Sequence, residues 1–100
     1  MTLGKIAIMS PDYVLAFVRG EEGELFMHAD AKGLAALIGA LERLKKKAEE
    51  GVCDHDHLKT ASWAGAELSE KKGLERGELI HHLKLYGWTD EWATRHGFRE

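Results

Sequence analysis

The chain has one cysteine, Cys53, and one proline, Pro11. A lone cysteine closes no intrachain disulfide, so a disulfide scaffold is excluded and a reducing cytoplasm is the expected setting. Long apolar runs are missing too. Nothing approaches the ~20 residues that a membrane-spanning helix needs. Met1 to Met9 carries one lysine and a short apolar run, without the basic start, long apolar stretch and cleavage site of a signal peptide. Basic residues are not in excess: 14 Lys and Arg stand against 17 Asp and Glu, a formal net charge of −3. That balance argues against nucleic acid as the main partner and suits a partner with a basic surface.

What is present fits one soluble α+β domain spanning residues 1–100, with 44% hydrophobic and 31% charged residues. Lys5 to Met9 reads as a strand, and Pro11-Asp12 as a turn. Tyr13 to Arg19 is apolar on both faces, which predicts a central strand covered on both sides. Gly20-Glu21-Glu22-Gly23 marks a hairpin, and Glu24 to Ala29 returns with Leu25 and Met27 on one face. Asp30 is a suitable N-cap for a long helix whose apolar stripe is Leu34, Leu37, Ile38, Leu41, Leu44 and Ala48. Lys45 to Lys47 suit the negative end of its dipole, and Gly51 stops it. Val52 to Thr60 is expected to be a fourth strand, Ala61 to Gly77 a long loop and Glu78 to Trp88 a fifth strand. In that fifth strand Leu79, His81, Leu83 and Leu85 share one face, and Ile80, His82, Lys84 and Tyr86 the other. Thr89 caps a short helix through Arg95, with Trp92 docking it. The expected architecture is an antiparallel sheet of about five strands, one long helix on one face and a short C-terminal helix.

Chemistry-bearing residues concentrate in Asp54-His55-Asp56-His57 and the loop that follows, with Trp63 and Glu67. On a strand His55 and His57 share a face and the two aspartates take the other. Two imidazoles make half of a zinc site, and His81 or His82 is the candidate third ligand; the competing reading is a polar network without metal. An Asp–His pair can also move protons, but no nucleophile elbow, phosphate loop or cysteine pair accompanies it, so no enzymatic activity is expected. Trp63, between Ser62 and Ala64-Gly65, is either a loop anchor or an exposed protein-binding residue. Glu21, Glu22 and Glu24 make an acidic hairpin tip that would also steer a basic partner.

The strands, the Asp30-capped leucine-rich helix and Asp54-His55-Asp56-His57-Leu58 together resemble the Immunity protein 32 family of bacterial polymorphic toxin systems. His57 to Gly65 and Glu78 to Leu83 resemble the later part of such a protein, over a span from Lys5 to Trp88. Gly33 departs from the glutamate expected in the first helical turn, and Glu67 to Gly77 is peculiar to this chain. The resemblance implies a small cytoplasmic antitoxin, without cofactor, that binds the C-terminal domain of a cognate toxin and blocks its active site or substrate access. Asp54, Asp56, His57, Trp63 and Glu67 are the candidate contacts. The alternative is a small metal-binding or regulatory homodimeric domain using His55, His57 and His81.

Overall fold

The computed structural model describes residues 10–99; the strand expected over Lys5–Met9 lies outside them. The described chain is α+β, with five strands in antiparallel sheets, one long helix and one short one. The strands are β1 (Leu15–Arg19), β2 (Leu25–Ala29), β3 (Asp54–Lys59), β4 (Glu78–Leu79) and β5 (His82–Gly87). The helices are α1 (Ala31–Glu49) and α2 (Asp90–Arg95), and a single 3-10 turn spans Ala61–Trp63.

The strands divide into two sheets, ordered β2-β1-β4 and β3-β5. The division comes from the segment expected to be one strand from Glu78 to Trp88. Its first part pairs with β1, Leu79 opposite Val18, and the Ile80 N–H still reaches Phe17 O at 2.8 Å. The next carbonyl, that of His81, accepts from Thr60 N–H at 3.0 Å, and from His82 onward the chain pairs with β3. One run of extended backbone therefore serves two sheets and breaks where it changes partner.

β1 is central, as its two apolar faces imply: Leu15 to Val18 are all buried. Leu15 and Phe17 join Ala40, Leu58 and Leu68 in the core, with Tyr13, Ala29, Leu37, Ile80, Leu83 and Leu85 packed against them. Leu68 comes from the long loop, which runs back along the core and bridges Thr60.

α1 lies over β1 and the β3-β5 ribbon, and its contact line differs from the leucine stripe. Gly33, Ala40 and Leu44 are buried, whereas Leu34, Ile38 and Leu41 are 40%, 51% and 47% exposed. The small residues decide this, because they let the helix backbone approach the strands and leave the bulky leucines on its flanks. At Gly33 the approach is extreme: a Cβ would stand 1.7 Å from the Val14 carbonyl oxygen. The glycine found where a glutamate is expected is thus set by the neighbouring strand. Asp30 completes the clasp. Its Oδ1 accepts from Gly33 N–H at 2.8 Å and from Val14 N–H at 3.1 Å, while its own N–H donates to Val14 O at 3.1 Å.

Gly33→Ala forces the helix off β1 and should destabilise the chain by about 2–3 kcal/mol, read as a lower urea midpoint at unchanged slope. The two N–H groups hold the Asp30 carboxyl below its ordinary value. A depressed carboxyl contributes stability that is present above its unfolded value and is lost as pH falls through the folded one. Asp30→Asn, which keeps a cap but cannot titrate, should therefore lose less melting temperature than wild type between about pH 5 and pH 2.

Candidate functional site

The β3-β5 ribbon has two chemically opposite faces, fixed by alternation and register. Leu58 pairs with Leu83 and Asp56 with Leu85, and these turn toward α1. On the outer face His55 pairs with Tyr86, His57 with Lys84 and Lys59 with His82. No carboxylate stands among these six side chains. His55, His57, Lys84 and Tyr86 are exposed, Tyr86 by 51%.

The rings on this face form a nearly continuous file of contacts. His57 Nδ1 lies 2.8 Å from His82 Nε2, and their centroids are 5.0 Å apart in stacked geometry. Only one of those two nitrogens can donate, so the pair favours at most one cation. Burial lowers the His57 value first, and the charges of His55, His82, Lys84 and Lys59 lower it further. His55 meets His57 edge-on at 5.0 Å and tilts toward Tyr86 at 6.2 Å. Tyr86 stacks on Trp88 at 5.0 Å, Trp88 on Trp92 at 3.7 Å and Trp92 on His96 at 4.0 Å. Lys84 Nζ sits 4.7 Å from the Tyr86 centroid, a cation–π distance.

At the other end of the file stands Trp63, 55% exposed, parallel to His81 at 6.0 Å and 6.3 Å from His82. The loop that presents it is held from below. Thr60, fully buried, gives its carbonyl to the N–H groups of Trp63 and Gly65, and its Oγ1 lies 2.7 Å from His81 Nδ1. Ala64 takes a left-handed conformation. Gly65 then packs so closely that a Cβ would meet the Lys59 Cβ at 2.3 Å. Glu70 accepts from Ser62 N–H and Oγ, each at 2.6 Å, which lowers its carboxyl below the ordinary value.

The five candidate contacts do not form one patch. His57 and Trp63 lie on the outer face. Asp54 and Asp56 lie on the other, where Asp56 Oδ2 meets Arg43 Nη2 at 3.2 Å and Asp54 caps the His55 N–H. Glu67 holds the loop: its Oε1 accepts from Lys59 N–H at 2.9 Å, and its carbonyl accepts from Tyr13 OH. Burial beside Glu67 raises the Tyr13 hydroxyl above its ordinary value. The histidine that joins His57 is His82 rather than His81, whose ring is turned to Thr60. Among the described residues no three His, Cys, Asp or Glu side chains are grouped to hold a metal ion.

Residue alternation signalled both halves of this face, since His55 with His57 and His82 with Lys84 and Tyr86 share faces in their own strands. It carried no signal for the register that lays one half beside the other. The Trp92–His96 stack has the four-residue spacing of a helix face, which is a legible cue.

Among the described residues no helix is long and apolar enough to cross a membrane. No curated protein and no solved structure matches the chain. The Immunity protein 32 family model matches residues 24–90, from the start of the β2 segment to the first residue of α2. Its bounds enclose Trp63, Trp88 and the whole outer face of β3-β5, and leave out β1 and most of α2. With two thirds of its length matched, the chain belongs to the Immunity protein 32 family.

Proposed function

We propose that this chain is a cytoplasmic immunity protein of a polymorphic toxin system, which binds the C-terminal domain of a cognate toxin and blocks its active site or substrate access. Its docking surface is the outer face of β3-β5, extended by Trp63 at one end and Trp88 at the other. The observation that supports this is the file of exposed and half-buried rings, each in contact with the next, inside the family-matched segment. Such a surface is costly to leave in water and well suited to a partner. Trp and Tyr dominate binding hot spots because each covers a large area and loses few rotamers on contact. Here they lose fewer still, since each ring is already held by its neighbour.

No chemistry of its own is asked of the protein. Occlusion needs only shape, affinity and a rigid support, and the ribbon is clamped from behind by α1 through Leu58, Leu83 and Leu85. Within this reading His57 and Trp63 are direct contacts. Asp54, Asp56 and Glu67 act one step back, holding the helix side of the ribbon and the loop.

The test begins with the toxin domain recovered alongside the tagged protein from its host. Trp63→Ala and Tyr86→Ala should each weaken binding of that domain by more than about 1 kcal/mol, about fivefold or more, by calorimetry. Lys45→Ala, on the solvent side of α1 and paired with Glu49, should leave affinity unchanged. If the first two variants bind as wild type does, the face is not the docking surface. If no toxin domain is bound at all, the immunity reading fails.

A further inference from the structure

We infer that the surface this protein covers on its toxin is acidic: a patch of carboxylates facing the grid of His55, His57, Lys59, His82 and Lys84. This rests on the reading of the outer β3-β5 face as the docking surface, and reverses the basic partner that the net charge of −3 suggests. Three observations carry it.

The first is the charge of the grid. The six outer positions hold two lysines, three histidines and a tyrosine, in cross-strand pairs, and no acid. A docked partner would strip water from Lys59 and Lys84, and a buried cation without a counter-charge is strongly unfavourable. Among the described residues the carboxylates around the grid are engaged elsewhere. The nearby carboxylates, Glu67 and Glu70, are turned to the backbone N–H of Lys59 and to Ser62. Asp54 and Asp56 sit on the opposite face, and Asp56 meets Arg43 there. Asp90, toward the far end of the file, is taken by Arg99 at 2.9 Å.

The second is donor chemistry. Imidazole rings and lysines present N–H groups, and the strongest acceptors for these are carboxylates, through charge-assisted bonds. Because one proton lies between His57 Nδ1 and His82 Nε2 along their 2.8 Å contact, the ring that accepts it carries its own N–H on its other nitrogen, free to donate to such an acceptor. The third is exclusion. Opposite a basic patch, Lys59, Lys84 and any protonated histidine would repel, so the grid selects against the partner type that a nucleic-acid-binding surface would present. The net charge of −3 is compatible with this, because the acids gather elsewhere, at the Glu21, Glu22 and Glu24 hairpin tip.

The decisive comparison pairs a charge reversal with an aromatic deletion on the full chain. Against the recovered toxin domain at low salt, Lys59→Glu with Lys84→Glu should weaken binding at least tenfold, and wild-type affinity should fall as salt rises from 50 to 300 mM. In nuclear magnetic resonance titrations of the free chain, hexaglutamate should shift the amides of His57, Lys59, His82 and Lys84 in wild type and not in the double variant. Hexalysine should shift the Glu21–Glu24 tip instead. If the double reversal leaves toxin affinity unchanged or tightens it while Trp63→Ala still weakens it, the partner is not acidic and the docking face stands. If neither change affects toxin binding, both ideas fall. If a twelve-residue thymidine oligonucleotide shifts the same grid amides at lower concentration than hexaglutamate, the face is a single-strand platform and the inference is overturned. Circular dichroism on the double variant, whose substituted side chains are on the outer face, checks that the fold is kept.

Discussion

The junction between Thr60 and His81 decides the shape of this protein. At that point a single extended run leaves one sheet and enters another. Thr60 is fully buried and uses every group it has: its N–H donates to His81 O, its carbonyl accepts from Trp63 and Gly65, and its hydroxyl meets His81 Nδ1. A buried hydroxyl or amide left without a partner costs about 1–3 kcal/mol, so these bonds constrain geometry more than they add net stability. They place the loop bearing Trp63 over the end of the β3-β5 ribbon, and they set Leu68 into the core beneath it.

The separation of charge from rings follows from that arrangement. Alternation puts Asp54 and Asp56 on the helix side, where Asp56 finds Arg43, and puts His55 and His57 outside. A sheet in which β3 and β5 continued straight from β1 would leave the histidines no reason to meet His82. With the partner switch at Ile80 and His81, His82 lands opposite Lys59 and diagonal to His57, and the imidazole pair forms. The outer face therefore gathers aromatic and cationic groups while the carboxylates are occupied behind it or at its margins. One sequence run rich in both acids and imidazoles becomes two surfaces of different chemistry.

Much of this was legible in the residues. The apolar symmetry of Tyr13 to Arg19 gave β1 its central place, although the strand itself begins at Leu15. Asp30 and Gly51 marked the bounds of α1, and Thr89 the start of α2. The α+β class and the family both held. What periodicity could not show was how tightly small residues dock. Gly33 and Ala40 pull α1 inward, so three residues of the leucine stripe ride half in water. Nor could local patterning show that Glu78 to Trp88 divides its hydrogen bonds between two sheets, since both halves are equally extended. The candidate contacts failed to form one patch for the same reason: alternation assigns faces within a strand, and only register and loop closure assign neighbours between strands.

The bounds of the family match divide the ring file. β1, which carries the core, lies outside it, and so do Trp92, His96 and Phe98. The first is buried scaffold, with Leu15 to Val18 enclosed. The others lengthen the ring file beyond Trp88: Trp92 lies 3.7 Å from Trp88 and 5.6 Å from Phe98, which is 71% exposed. A short helix capped by Thr89 is marginal alone, and the stacking on Trp88 is what holds it. The terminal rings are thus supported by the matched part of the face and extend its reach without altering the grid. An appended helix held by one stack leaves the ribbon as it is, because Trp88, directly after β5, is placed by the strand it follows.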